Sequence, residues 1–124
     1  GISNDGLVYV SDRGNRRIQV FTTEGEYVTQ GFVNRDAEGL TTAGIAFSPD
    51  PEQRFLYTPD FHWGHVWVLD RKTLRVLYKF GEETGRPGDF REPHDIAADS
   101  KGNLYVAEVA GGARAQKLVL KGIS

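Results

Sequence analysis

Cysteine is absent from the 124 residues. That excludes disulfides, thiolate chemistry and Cys-ligated zinc, but it does not identify a compartment, because secreted and periplasmic domains can also lack cysteine. Charge of one sign is missing too. Fifteen Lys and Arg stand against 17 Asp and Glu with no long run of either, so there is no electrostatic footprint for nucleic acid or an anionic membrane surface. No apolar stretch approaches the roughly 18 residues of a membrane helix, and no convincing helical periodicity runs through the chain. The expectation is a soluble protein of open localisation, with a secreted or periplasmic parent chain as the alternative considered. The first residue is Gly1, and we expect a piece of something longer.

What is present is a repeat. LVYVSDRGNRRIQVF at 7–21 aligns without gaps to FLYTPDFHWGHVWVL at 55–69, and NLYVAEVAGGARAQKLVL at 103–120 carries the pattern again. Tyr9, Tyr57 and Tyr105 are spaced by 48 and 48, and Asp12, Asp60 and Glu108 keep that spacing and a carboxylate type. In each copy an alternating strand runs into an acidic turn and then into a second alternating strand, the signature of a hairpin. A short strand precedes each hairpin: ISND, then GIAFS at 44–48, then DIAAD at 95–99. A fourth strand follows the first two hairpins, EYVTQGFV at 26–33 and RVLYKFG at 75–81.

Four-stranded antiparallel units repeated in this way predict an all-β, partial β-propeller. The chain reads as a single unit, 1–124, with blades at about 1–33, 34–81 and 82–124, nearly three blades of a six-bladed ring. About eleven strands, named a to d from the axis outward, leave the ring open. We therefore expect either a larger propeller or a homo-oligomer in which two copies complete one ring. The recurrent tyrosines predict core, and the recurrent carboxylates predict turn scaffolds that accept backbone hydrogen bonds, with Asn15 assisting Asp12.

Positions that break the repeat are candidates for function. Arg13 stands where the other copies have Phe61 and Val109. His94, in Glu-Pro-His-Asp, directly precedes the innermost strand, where the middle copy has Ala43. Both belong to the same face of a propeller, and they can flank one ligand there. His94 can equally bond a backbone carbonyl, and Arg13 can pair with a nearby carboxylate. His62 and His65, with Phe61 and Trp63, read as an aromatic surface for a protein or peptide more simply than as a metal site. Gly111 and Gly112 read as turn glycines rather than a nucleotide loop.

DGLVYVSDRGNRRIQVF and GRPGDFREPHDIAADSKGNLYVAE resemble NHL repeats, whose propellers commonly have six blades. FREPHDIAADSKGNLYVAE further resembles the final-blade motif of the peptidylamidoglycolate lyases, which split peptidyl-hydroxyglycine into a peptide amide and glyoxylate. That resemblance implies zinc ligation by His94, a structural calcium at Asp95 and stabilisation of developing negative charge by Arg13. It also implies two further histidines and a tyrosine before Gly1, and a disulfide at positions that here hold Tyr9 and Val20. The chain alone is therefore expected to be inactive. The plainest expectation is a binding scaffold for a protein, peptide or small ligand at the loop face, with the zinc-dependent lyase as the alternative.

Overall fold

The alternating segments form three antiparallel sheets. The computed structural model describes residues 1–33, 44–60, 65–80, 93–108 and 115–118. The first sheet orders β1 (Leu7–Asp12), β2 (Arg17–Thr22) and β3 (Tyr27–Phe32), and Ile2 bridges to Val8 where the sequence predicts a partial inner strand. The second sheet has four strands in sequence order, β4 (Ala46–Phe47), β5 (Phe55–Asp60), β6 (His65–Asp70) and β7 (Val76–Phe80). The third places β8 (Pro93–Ala98), β9 (Leu104–Glu108) and β10 (Ala115–Leu118) side by side. Among the described residues that makes ten strands and one bridge. No helix in them is long and apolar enough to cross a membrane.

The repeat extends to backbone irregularity. A bulge falls between Val20 and Phe21 in the first sheet and between Val68 and Leu69 in the second, 48 positions on. The third hairpin departs: Tyr9 pairs Val20 and Tyr57 pairs Val68, but Tyr105 pairs Lys117, one residue beyond the position the spacing implies. Its connection carries the extra residue.

Strand alternation decides which blade each side chain meets. From the middle sheet, Leu56, Trp67, Leu69 and Leu74 pack on Tyr9, Ile18, Val20 and Val33 of the first. The alternate residues Tyr57, Val66 and Val68 pack on Ile96, Leu104 and Val106 of the third. Both faces of the middle sheet are thus buried, which explains why β6 is apolar almost throughout. Each fully buried Leu or Val contributes about 1.5–3 kcal/mol relative to exposure. Near the inner edges β8 lies against β4 and β5. At the first seam the backbones approach so closely that a Cβ on Gly31 would sit 2.5 Å from Leu74 Cβ.

One core expectation needs correction. Tyr9 and Tyr57 are buried, whereas Tyr105 is 38% exposed. The tyrosine of each blade faces the blade that follows, and within this chain none follows the third. Tyr105 instead donates its hydroxyl to Asp99 at 3.2 Å, and the Lys117 ammonium lies 5.7 Å from its ring centre.

Candidate functional site

Antiparallel order puts the turns from the second to the third strand of each blade at the same end as the entries to the first strands. At this end Arg13 opens a single 3-10 turn, Arg13–Asn15, between β1 and β2. His94 is not ahead of its strand but second in β8. Pro93 pairs with Glu108 and Asp95 with Ala107, so His94 is the extra residue of a bulge. The side chains of Arg13, His94, Asp95 and Glu108 lie outside the described residues, as do Phe61, His62, Trp63, Gly111 and Gly112. His65 is half-buried and sets its ring edge-on to Trp67 at 5.9 Å. Among the described residues no three His, Cys, Asp or Glu side chains gather as a metal site.

The recurrent carboxylates divide in role. Asp12 serves its own turn, accepting from Asn15 Nδ2 and Arg17 Nε, both at 2.9 Å. The Asn15 amide and then the Arg17 guanidinium hold its pKa below the ordinary value. Asp60, by contrast, is fully buried: its Oδ2 accepts from Trp67 Nε1 of its own blade at 2.9 Å and, across the seam, from Arg16 Nη2 of the first blade at 3.2 Å. Arg16 adopts φ 53°, a left-handed conformation uncommon for a residue with a side chain. Arg16 and its bond to Asp60 escape sequence reading, although Gly64 at the matching place in the next copy marks it as a break in the repeat.

The opposite end carries a second inter-blade cluster. Arg71, in the turn between β6 and β7, is buried and reaches back to the first blade. Its Nη1 donates to Tyr9 Oη at 3.0 Å and to Asp5 Oδ1 at 3.1 Å. Its Nε and Nη2 donate to the carbonyls of Gln53 at 2.7 Å and Glu52 at 2.9 Å. Burial pushes the Tyr9 phenol up against the pull of Arg71. The Ser3 hydroxyl, ahead of Arg71, draws Asp5 down. The self-comparison that singled out Arg13 also finds Arg71, because the other copies have Thr23 and, counting the extra residue of the third hairpin, Leu120 there.

The chain resembles several solved structures over most of its length. Kuenenia stuttgartiensis hydrazine synthase superposes with TM-score 0.67 at 16% identity, over 86% of this chain and 27% of that one. The β-propeller domain of Myceliophteria thermophila Cps50 (Swd1) gives 0.64 at 11% identity, over 98% of this chain and 39% of that one. The fold is a β-propeller. Dihydro-heme d1 dehydrogenase NirN also matches, at TM-score 0.56 and 16% identity, over 99% of this chain and 26% of its own. The chain thus spans between about a quarter and two fifths of the solved chains it matches. At these identities the likeness concerns fold alone, and no protein-family model matches the propeller blades.

Proposed function

We propose that these are consecutive blades of an NHL-type, six-bladed propeller. They bind a protein, peptide or small ligand at the face that carries Arg13 and His94, and they perform no chemistry by themselves. The observation behind this reading is the joint position of Arg13 and His94. Two residues without counterparts in the repeat come from the first and third blades to one end of the sheets, His94 on a bulge. Bulges are a common device for re-aiming a side chain beside a site. Beneath the same end, the buried Arg16–Asp60–Trp67 bonds give the loops a fixed support.

The test screens full-length protein against a displayed random peptide library. Binders lost on Arg13→Ala or His94→Ala, with the fold intact by circular dichroism, support the reading. Binders indifferent to both variants overturn it.

A second reading, part of a zinc-dependent peptidylamidoglycolate lyase, is favoured by the Pro-His-Asp run at that bulge. His94 alone is not a zinc site, and no catalytic step follows from it. Stoichiometric zinc that disappears in His94→Ala, with glyoxylate released from a peptidyl-hydroxyglycine, would replace the first reading with the second. As for assembly, the outer faces of the stack expose Ile2, Val10 and Tyr105. Blades of the same kind, from a longer chain or a second copy, fit those faces. Light scattering on the isolated chain separates the two, because a monomer at micromolar concentration excludes the second copy.

A further inference from the structure

The outer faces of the first and third blades depart from the repeat in complementary ways. On the face that each blade turns to the next, Val20 pairs with Tyr9 and Val68 with Tyr57, and both valines are buried. In the third blade the residue paired with Tyr105 is Lys117, which is exposed. A blade seated there as in the first two seams would cover this lysine, and a covered ammonium needs a carboxylate. Lys101 takes the place that Asp5 holds in the first blade. Both stand four positions before the tyrosine, in turns closed by the same bond: Gly6 N donates to the Ser3 carbonyl at 3.0 Å and Gly102 N to the Asp99 carbonyl at 3.1 Å.

The first blade carries matching changes on its opposite face. At the first seam, the middle blade's turn between β6 and β7 reaches back with Arg71, which bonds Asp5, and with Leu74, which belongs to the same core cluster as Val20. The corresponding turn of the first blade lies between β2 and β3. There Thr23 stands for Arg71 and Gly25 for Leu74. Gly25 N donates to the Thr22 carbonyl as Leu74 N donates to that of Asp70, and both residues have positive φ, 88° and 59°. Glu24 and Glu26 flank Gly25, and the whole stretch from Thr23 to Glu26 is exposed. On the same outer face Val10 is 42% exposed, whereas its counterparts Thr58 and Val106 are fully buried.

We propose that the first blade of a second copy docks head to tail on the third blade, with Glu24 and Glu26 meeting Lys117 and Lys101. This rests on the reading that blades of the same kind cover the open faces, and it names the blade. Size and charge both agree. The valine and leucine of the first seam become lysine and glycine, so the longer side chain enters where its neighbour has none. Asp5 becomes Lys101, while a turn bearing Arg71, Lys72 and Arg75 becomes one bearing Glu24 and Glu26. Tyr105, whose hydroxyl already bonds Asp99, needs no arginine, and the second copy offers Thr23 at that place. Among the described residues, none of the two lysines and two glutamates has an ion pair within the chain. A head-to-tail joint made twice closes a pair of copies.

Sedimentation velocity on the 124-residue chain at micromolar concentrations tests this, and we expect dimers. Lys101→Glu with Lys117→Glu, and separately Glu24→Lys with Glu26→Lys, should each weaken association about tenfold or more, because like charges then face each other. All four residues are exposed, so both variants should fold, and circular dichroism checks this. Mixing the two variants restores opposite charges at both joints, and dimers should return, which a mere folding defect would not allow. Dimers indifferent to both variants, or a mixture that stays monomeric, overturn the proposal. A monomeric unvaried chain overturns it too, and leaves the open faces to blades of a longer chain. Binding at Arg13 and His94 is measured separately, so that reading stands or falls on its own.

Discussion

Replacing Arg71 with methionine isolates the contribution of one side chain to a blade seam. Methionine keeps most of the apolar stem and removes the guanidinium, which makes charge-assisted bonds to the Glu52 and Gln53 carbonyls and to Tyr9 Oη. The pair with Asp5 counts for little, because that carboxylate is 45% exposed and water can replace the lost contact. Tyr9 keeps one bond, donating its hydroxyl to the Arg71 carbonyl at 3.2 Å, and the main chain there is unchanged. At about 1.5–3 kcal/mol for each hydrogen bond to a charged group, the two carbonyls and the phenol oxygen sum to about 4–9 kcal/mol, and relief of the cost of burying the guanidinium reduces the expected net loss to about 2–4 kcal/mol. Urea unfolding of the full-length protein followed by tryptophan fluorescence measures this as a fall in midpoint at constant slope. Arg71→Lys should recover only part of the loss, since an ammonium cannot span the same three acceptors. Hydrogen exchange should accelerate at Glu52–Phe55 and not at the third blade's Asp99–Asn103 turn. A cost for Arg71→Met below about 0.5 kcal/mol, the range of ordinary surface changes, would refute the claim that this residue clamps the seam.

Gly31→Ala should lower stability by about 1–3 kcal/mol, because its new Cβ would press on Leu74 Cβ and on the Leu74 carbonyl, and an unchanged melting temperature would show the seam to be looser. Burial pushes the Tyr57 phenol up to about 12. The folded protein then holds that proton where the unfolded chain, with an ordinary value near 10, releases it. Stability that is complete below about pH 10 should decline as pH rises toward 12. Ultraviolet titration checks this, and ionisation of Tyr57 near 10 with the fold intact would contradict it.

The fold was legible because its code is local and repeated. Two-residue alternation in LVYVSD and FLYTPD predicts β1 and β5, and the spacing of 48 carries the hairpins from copy to copy. Burial in a propeller is decided by neighbours that repetition cannot supply, which is why Tyr105 matches Tyr9 in sequence and differs from it in exposure. Asp60 was legible as a carboxylate but not as a partner of Arg16, because the two are 44 residues apart and meet only when two blades close on each other. At the candidate site, the turn holding Arg13 was readable. The bulge at His94 was not, since it follows from how Pro93 and Asp95 pair with β9.

The two seams are built differently, and this bears on where the propeller yields. At the first seam an arginine crosses at each end: Arg16 runs forward to Asp60, and Arg71 runs back to Asp5 and Tyr9. At the matching places in the next copy the sequence has Gly64 and, counting the extra residue of the third hairpin, Leu120, so neither crossing can be repeated at the second seam. That seam keeps the apolar contact of Tyr57, Val66 and Val68 with Ile96, Leu104 and Val106. Apolar contact is non-directional and tolerates small sliding, whereas a fork of directed bonds fixes register. The first and middle blades should therefore move as one body and the third should shift against them.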